Sequence, residues 1–565
     1  MSTQLIECVP NFSEGRDPEV LRQITAEIES VEGVKLLDVD PGKATNRTVV
    51  TFVGAPDPVI KAAFLAIKKA AELIDMSQHS GEHPRMGATD VCPLIPISGI
   101  TMEETVTYAK KLGEMVGSQL DIPIYLYEYA ASKPEWKNLA TIRAGEYEAL
   151  PDKLGKPEWQ PDFGPNAFTD KVAGSGATVI GAREFLVAYN VNLNTTSVRR
   201  ANSVAFDIRE KGRIKREGNK INGKVITDAA GEPVREPGAC KSVKAIGWFI
   251  EEYGIAQISM NLTNLQVTPL HIAFEETRKS ATKRGLRVTG SELVGLVPLN
   301  VMLDAGRFFL EQQRRSTGVS EEELIRIAVR SLGLEELGPF DPNKKIIEYQ
   351  LRDMADTPLL NMNLREFSNE TASESPAPGG GSISAYVGAL GISLGTMVAN
   401  LSAHRRVWDE RWDEFSEWAA KGQIIKDQLL QLVDEDTRSF NAIMDAFRLP
   451  KGSEEEKVKR KQAIQDATKY AIDVPLKVMK VALESIKVIK AMAETGNPNS
   501  VTDAGVGVLC ARTAIRGAFL NVKINATDLN DKAYVEKVLA DGQVIIDEAA
   551  KLEEAVMAIV EEKIS

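Results

Sequence analysis

The chain has 565 residues, of which 43% are hydrophobic and 26% are charged, and its formal net charge is −12. Its length predicts several domains, and the acidic balance without long Lys and Arg runs argues against nucleic-acid binding. The four cysteines are dispersed, which is typical of reduced thiols in a cytoplasmic protein. The N-terminal residues lack the basic and apolar regions of a signal peptide.

The first third of the chain alternates strand-like and helix-like segments. We predict strands for LIECVPNF, VKLLDVD, RTVVTFVG, DVCPLIPI and PIYLYEY, and helices for residues 58–76 and 101–120. A second set follows, with a helix near 196–212 and the hairpin VKAIGWFIEE–GIAQISMNLT. The pattern predicts two consecutive α/β modules that join near residue 184, with an exposed polar insertion at 213–240.

Strand signals stop after about residue 330. Residues 338–363 are irregular and predict a linker, and the pattern from Leu364 to the end is helical. The run from Ile383 to Ala403 has no charge and is long enough to span a bilayer. Its many small and polar residues favour a buried helix in close contact with other helices over membrane insertion. A change of architecture within one chain suggests two activities.

Two of the four histidines, His79 and His83, lie four residues apart in HSGEHPRMGATDVCP. On a helix this spacing would suit zinc, but Gly81 and Pro84 interrupt it. The plain structural alternative is a loop in which His83 is merely hydrogen-bonded. Two observations argue against a purely structural role. Arg85 and Asp90 lie in the same segment, and polar clusters follow two other predicted strands. The first cluster is Asn11, Ser13, Glu14 and Arg16, and the second is Asp38, Asp40, Lys43 and Arg47. Loops at one sheet edge can converge, so we expect recognition or catalysis here.

These segments resemble known families. CVPNFSEGRD, LLDVDPG…NRTVVTFVG and GEHPRMGATDVCP are similar to the glutamate formiminotransferases, and PDFGP…GATVIGAREFLVAYNVNLN continues the match. SPAPGGGSISA, VDEDTRSF and GAFLNVKINATDL resemble the formiminotetrahydrofolate cyclodeaminases. The order is that of the bifunctional formiminotransferase-cyclodeaminase family. This resemblance implies two α/β transferase subdomains with antiparallel or mixed sheets (1–184 and 185–337), a linker (338–363) and an all-helical cyclodeaminase domain (364–565).

The resemblance also implies a cytoplasmic folate enzyme of histidine degradation. The transferase would move the formimino group from N-formimino-L-glutamate to N5 of tetrahydrofolate and release L-glutamate. The cyclodeaminase would close the ring onto N10, release ammonia and form 5,10-methenyltetrahydrofolate. Tetrahydrofolate or its polyglutamate is then a co-substrate, and the resemblance implies a homo-oligomer. The interrupted His79–His83 spacing and the scattered cysteines predict that neither step uses a metal. Neither nucleic acid nor a membrane is expected as a partner.

Within the transferase, His83 matches the family's catalytic histidine and Asp40 its partner aspartate. One imidazole titrating near neutrality can take the proton from N5 and return it to the departing nitrogen. We assign His79 to supporting structure or substrate contact. The segment 164–176 matches the folate-contacting loop, although its glycines also fit a mere cluster of turns. The candidate folate-binding residues are Gly164, Pro165, Asn166, Ala167, Phe168, Gly174 and Gly176.

In the helical domain, Asp436 falls on an apolar stripe, whereas Asp434 falls off it and could pair with Arg438. The stripe comprises Ile425, Leu429, Leu432, Phe440, Ile443 and Phe447. Burial should raise the pKa of Asp436, which suits a proton donor to departing ammonia. Asp436 also matches the family's catalytic aspartate; a structural aspartate paired with Arg512 is the alternative.

The glycines of PAPGGGS, with Ser382 as a cap, could start a helix that presents N–H groups to an anion, or merely form a tight turn. Two further functions of the helical domain stay open. It could be a methenyltetrahydrofolate cyclohydrolase, which uses water. It could also be a folate-binding or oligomerisation module without chemistry.

Overall fold

A computed structural model describes residues 4–42, 46–80, 84–218, 222–351 and 357–565. The chain forms two compact units, one from Met1–Val301 and Leu332–Arg352, the other from Met302–Ser331 and Asp353–Ser565. Sheets occur in the first unit and long helices dominate the second. The predicted fold class, α/β followed by all-α, is confirmed.

The first unit starts with a seven-stranded mixed sheet. Its strands are β1 (Leu5–Cys8), β2 (Asn11–Phe12), β3 (Val34–Gly42), β4 (Arg47–Gly54), β5 (Thr89–Ser98), β6 (Ile124–Glu128) and β7 (Thr178–Ala182). The short strands β1 and β2 lie between β4 and β5 in antiparallel pairing, β3 flanks β4, and β7 and β6 continue in parallel beyond β5. The predicted strands of this module are thus all present.

Three helices, α1 (Pro18–Glu29), α2 (Pro56–Leu73) and α3 (Met102–Leu120), cover one face of this sheet. The short helices α4 (Leu139–Ile142), α5 (Leu150–Lys153) and α6 (Asp170–Ser175) contribute to a separate apolar cluster with Tyr125 and Val179 from the other face. Asp17 caps α1 by accepting from the backbone of Glu19, and Thr101 and Glu104 form a capping box at α3. The strand residues that face these helices, such as Ile6 and Phe52, are fully buried in the core between them. Because side chains alternate along a strand, Glu7 and Val9 point to the opposite face.

The second sheet of this unit is antiparallel, in the order β11-β12-β8-β13. Its strands are β8 (Val187–Leu193), β11 (Val243–Ile250), β12 (Ile255–Leu262) and β13 (Val288–Val294), with the helices α7 (Val198–Ile208) and α8 (Leu270–Thr282). The predicted hairpin is confirmed, with Val243 opposite Leu262 and Ile250 opposite Ile255. In the insertion, β9 (Arg213–Ile214) pairs with β10 (Arg235–Glu236).

Four helices follow before the helical domain: α9 (Leu299–Gln312), α10 (Glu321–Leu332), α11 (Pro342–Lys345) and α12 (Ile347–Gln350). The last two fall within the segment predicted as a linker. Ile347 is fully buried there in an apolar cluster with Val53 and Leu351. The beginning of this segment therefore contributes to the core of the first unit.

The second unit contains α13 (Leu364–Thr371), α14 (Gly380–Ala403), α15 (Trp412–Arg448), α16 (Glu454–Thr495), α17 (Val501–Ala526) and α18 (Lys532–Ile564). Among the described residues, α14 is one helix whose length and hydropathy would suit a membrane span. Its small residues instead allow close helix packing: a Cβ on Gly391 would lie 2.7 Å from the carbonyl oxygen of Gly507, and one on Gly395 would lie 2.9 Å from Ile489. The prediction of a buried helix is confirmed, since most of α14 packs inside the bundle.

The predicted burial of α15 is right in its first half and wrong in its second. Leu429 and Leu432 are buried, whereas Phe440 is 38% and Phe447 is 49% exposed. Asp434, predicted to lie off the buried stripe, is only 2% exposed. Its carboxylate accepts hydrogen bonds from the backbone N–H groups of Leu359 and Leu360 at 2.9 and 3.2 Å. The buried face rotates along this helix, so a single stripe does not describe it.

We expect Asp434→Ala to lower the free energy of unfolding of the helical domain by about 1–3 kcal/mol, because the buried N–H of Leu359 and the partly buried N–H of Leu360 lose their acceptor. Glu435→Ala, one residue along on a more exposed position, is the control and should cost less. Urea unfolding followed by circular dichroism measures both. Equal losses in the two variants would contradict the anchoring role of Asp434.

Candidate active sites

A cleft of about 490 Å³ lies over the sheet face opposite α1, α2 and α3. Its floor consists of alternate residues of the first sheet, including Val49 and Val91, and its other wall includes Ala188 and Val294 from the second sheet. Both sheets belong to the same compact unit. The charged and amide side chains in the lining are Glu7, Asn11, Asp38, Asp40, Arg47, Arg143, Arg183 and Asn261. The cleft thus combines apolar walls with carboxylates and guanidinium groups.

The predicted candidate Asp40 lines this cleft near the end of β3, where it is paired with Val49. Asp38 lies two residues earlier on the same strand face. Burial raises the pKa of Asp38, and the nearby charge of Asp40 raises it further. Burial lowers the pKa of Arg47, an effect that the carboxylate of Asp90 opposes. Carboxylates and a guanidinium group therefore meet at this end of the cleft, whereas the predicted Lys43 lies outside the described residues.

The predicted base His83 lies outside the described residues, whereas His79 and Arg85, on either side of it in the sequence, are hydrogen-bonded to protein groups. Nε2 of His79 is 3.0 Å from the carbonyl oxygen of Asn46, and Nε of Arg85 donates to Nδ1 at 3.2 Å. Asn46 also donates to the carbonyl oxygen of Ser80. Burial lowers the pKa of His79 and the charge of Arg85 adds to this effect, whereas the hydrogen bond to Asn46 opposes it. Because Arg85 donates to Nδ1, the neutral ring carries its proton on Nε2. Both ring nitrogens of His79 are therefore engaged by protein groups.

Two charged residues of this motif are committed to ion pairs with the segment after β6. Arg85 donates to Glu146 at 3.0 Å and to Glu148 at 2.8 Å. Asp90 is fully buried, pairs with Arg143 and accepts from the backbone N–H of Met86. The partners of Arg85 and Asp90 in this structure are thus protein groups. These ion pairs link residues 85–90 to the segment after β6.

The predicted folate loop lies beside the histidine motif. Gly176, with φ of +67°, pairs with Gly87, and a Cβ on it would lie 2.2 Å from the carbonyl oxygen of Met86. Gly174 accepts from the backbone of Met76 at 2.8 Å, and the ring of Phe168 contacts that of Tyr147. Gly164 and its neighbours Pro165, Asn166 and Ala167 precede α6. The loop is thus close-packed against the residues that follow the histidines, which only glycine permits at Gly176.

Glu7 is a cleft residue that sequence reasoning missed. It is 2% exposed and lies on β1, opposite Val53 and Ile95. Burial raises the pKa of its carboxyl to about 7, while Arg183 partly opposes this shift. The sequence does not predict this burial, because a single Glu in LIECVP is equally compatible with a strand that is solvent-exposed on one face and with a strand that is buried on both faces.

A second site lies in the helical domain, where a pocket of about 180 Å³ contains Asp436. Its lining includes Gly379 and Gly380 at the start of α14, Phe440 on α15, and Asn521 on α17. Oδ2 of Asp436 accepts from the backbone N–H of Ser382 at 2.8 Å and from its hydroxyl at 3.1 Å. Burial raises the pKa of Asp436 above its ordinary value, against the lowering effect of these hydrogen bonds.

Two details of this pocket correct the sequence-based expectations. Ser382 does not cap α14, since the cap residue is Gly379; it lies in the first turn and binds Asp436. Arg512 lies 3.2 Å from Glu553, so the proposed Asp436–Arg512 pair is wrong. The anion at the start of α14 is the protein's own Asp436. Asn521 and Asn525, four residues apart on α17, also line the pocket and were missed; their helical spacing was the available signal.

Three family models match successive parts of the chain. The N-terminal subdomain of the formiminotransferase domain matches residues 5–183, the formiminotransferase domain matches 188–352, and formiminotransferase-cyclodeaminase matches 363–543. The chain is also 44% identical over 536 residues to the formimidoyltransferase-cyclodeaminase of Mus musculus, covering 95% of each protein. The chain belongs to the formiminotransferase-cyclodeaminase family. Its two candidate sites lie in the parts that match the two halves of this family, and the predicted resemblance is confirmed.

Relatives with only one of these halves are also found. A glutamate formimidoyltransferase of Thermoplasma acidophilum is 42% identical over 54% of this chain and 92% of its own length. A methenyltetrahydrofolate cyclohydrolase of Methylorubrum extorquens is 37% identical over 36% of this chain and 99% of its own length. A solved formiminotetrahydrofolate cyclodeaminase of Thermotoga maritima aligns at 25% identity with a TM-score of 0.33, covering 36% of this chain and 98% of that one. The glutamate formimidoyltransferase and the methenyltetrahydrofolate cyclohydrolase thus each match one part of this chain over nearly their whole length.

We expect a distinct pH dependence for Glu7→Gln. Because the folded pKa is raised from 4.5 to about 7, folded Glu7 keeps a proton that the unfolded chain releases, so stability falls as pH rises through this window. The full penalty is on the order of 3 kcal/mol, and Gln does not incur it. The stability of the variant relative to wild type should therefore rise by roughly this order between pH 5 and pH 8. Urea unfolding at both pH values measures it; a constant difference would contradict the burial of an unpaired carboxyl.

Proposed function

We propose that the chain transfers the formimino group of N-formimino-L-glutamate to tetrahydrofolate in its first unit and cyclises the product in its second. The observation that carries the proposal is the presence of two different sites in two compact units, an extended charged cleft and a small carboxyl pocket. Each lies in a part of the chain with single-function relatives. We further propose that the enzyme is a cytoplasmic homo-oligomer that uses no metal.

In the transfer step, N5 of tetrahydrofolate attacks the formimino carbon, and the bond from that carbon to the glutamate nitrogen then breaks. His83 takes the proton from N5 and returns it to the departing nitrogen. Asp40 lies at the charged end of the cleft, where a carboxylate stabilises the amidinium carbon and the histidine. Arg47 in the same lining supplies a cation for substrate carboxylates.

In the cyclisation step, N10 attacks the carbon carried on N5, and ammonia leaves after it gains a proton. The reacting atoms belong to one molecule, so the fold must hold one conformation of folate and supply a proton. Asp436 meets the second need, since its raised pKa keeps more of the carboxyl protonated near neutral pH. The amides of Asn521 and Asn525 offer hydrogen bonds in the same pocket.

A second function of the helical domain has support in its relatives. The similarity to a methenyltetrahydrofolate cyclohydrolase spans nearly the whole of that protein. A cyclohydrolase would add water to the methenyl group and would release no ammonia. Synthetic 5-formiminotetrahydrofolate as the substrate separates the two, because ammonia appears only if the domain is a cyclodeaminase.

We expect His83→Ala to lower glutamate release by about 100- to 10,000-fold, because the transfer loses its general base. His79→Ala is the matched variant in the same loop. It should lose less, because His79 holds the loop through Asn46 and Arg85. Glutamate is measured in a coupled assay with saturating tetrahydrofolate. A larger loss in His79→Ala would show that the catalytic histidine was chosen wrongly.

We expect Asp436→Asn to stop ammonia release and methenyl formation while glutamate release continues, so that 5-formiminotetrahydrofolate accumulates. Asn retains the size and an acceptor for Ser382 but cannot donate an acidic proton. The three products are followed separately, by coupled assays and by the methenyl chromophore. If glutamate release falls equally in a folded protein, the assignment of one activity to each unit is wrong.

A further inference from the structure

The carboxylate of Glu7 lies in the cleft but has no role in the transfer step described above. Glu7 is 2% exposed and lines the cleft, and its carboxylate accepts no hydrogen bond from the described residues of the chain. The guanidinium of Arg183 lines the same cleft and acts on Glu7 electrostatically without forming an ion pair in the described structure. A buried carboxylate without donors is costly, so this pair is arranged for a ligand with complementary donors and acceptors.

The cross-strand and cleft-wall neighbours of Glu7 are apolar, and besides Arg183 the charge of Glu348 also acts on its carboxyl. Its cross-strand neighbour Val53 belongs to a buried cluster that also includes Phe185 and Leu296, and both of these side chains line the cleft. Along the sheet, Glu7 is two strands and four residues from Asp40, which places their α-carbons roughly 15 Å apart. This end of the cleft therefore suits a flat ring whose far edge carries polar atoms, with the reacting atoms toward Asp40.

We propose that Glu7 and Arg183 form a subsite for the pterin ring of tetrahydrofolate, in which Glu7 accepts from N3–H and the 2-amino group and Arg183 donates to the 4-oxo group. This subsite rests on the proposed transferase function, because only that function brings tetrahydrofolate into the cleft. It extends folate recognition to two residues outside the histidine and glycine-loop motifs.

The chemistry favours the pterin over the other substrate. The carboxylates of formiminoglutamate would be repelled by Glu7, and its cationic formimino group requires no apolar walls. The pterin edge offers two coplanar N–H donors, which match the two oxygens of a carboxylate, next to an oxygen that needs a donor. Without ligand, burial raises the pKa of Glu7 to about 7; donors from the pterin favour the ionised form.

The test compares tetrahydrofolate with 2-desamino-2-methyltetrahydrofolate, which lacks one donor, in steady-state glutamate release. Wild type should show a KM for tetrahydrofolate about 10- to 100-fold lower than for the analogue, as expected for a charged hydrogen bond. Glu7→Gln places a donor against the pterin donors, so it should raise the KM for tetrahydrofolate by about the same factor and abolish the discrimination. The KM for formiminoglutamate should stay within about twofold, because that substrate does not touch Glu7.

Glu128→Gln is the matched control. Glu128 is half-buried at the end of β6 and also feels the charge of Arg183, but it is not part of the cleft lining. This variant should retain the wild-type preference for tetrahydrofolate. If Glu128→Gln loses the preference as Glu7→Gln does, the electrostatic field near Arg183 determines which folate binds, and direct contact with Glu7 does not. The proposal would then be wrong.

Arg183→Met removes the proposed donor to the 4-oxo group of the pterin. This variant also tests the subsite if Glu7→Gln fails to fold. It should raise the KM for both folates equally, since both keep the 4-oxo group. A Glu7→Gln enzyme that still discriminates, or an Arg183→Met enzyme with unchanged KM for both, would overturn the subsite. Absence of glutamate release from wild type would instead overturn the proposed transferase function.

Discussion

A carboxylate that leaves water must meet hydrogen-bond donors inside the protein, and this requirement shapes both units. Asp90 meets Arg143 and the backbone of Met86, which fixes the segment after the histidine motif. Asp434 meets the backbone of Leu359 and Leu360, which anchors the chain that enters the helical domain. Where the donors are protein groups, a buried carboxylate therefore fixes the path of a loop that helices and strands alone leave undetermined.

Asp436 shows how the same requirement produces a reactive group. Its protein donors come from Ser382, and its pocket is open to a ligand. This contact exists only because position 381 is glycine: a Cβ there would lie 2.1 Å from Oδ1 of Asp436. The glycine run and the aspartate are far apart in sequence, but both are needed for this contact. The glycines let a carboxylate approach the start of a helix, and burial holds its pKa above the ordinary value.

Periodicity and motif similarity predicted the strand and helix content, because alternation of apolar residues is a local property of the chain. The family resemblance indicated Asp40, His83 and Asp436. Periodicity did not reveal Glu7, since its burial depends on strands on both sides and on a second layer over the sheet. It also misplaced Asp434, because the neighbours of a long helix change along its length. The partners of Arg85 were unpredictable for a similar reason, since they lie more than 60 residues away.

The contrast between the two sites follows from the number of molecules that each proposed reaction must bring together. A transfer joins two substrates, so the protein must position both by their charges and ring edges before any proton moves. The cleft contains charged groups of both signs that can bind the substrates: carboxylates such as Glu7 and Asp40, and guanidinium groups such as Arg47 and Arg183. A cyclisation starts with its reacting atoms already joined. One proton donor and a few amides in a pocket of about 180 Å³ are then sufficient, which is what surrounds Asp436. The site with more binding groups is thus the one whose reaction must overcome the loss of translational and rotational entropy of two separate substrates.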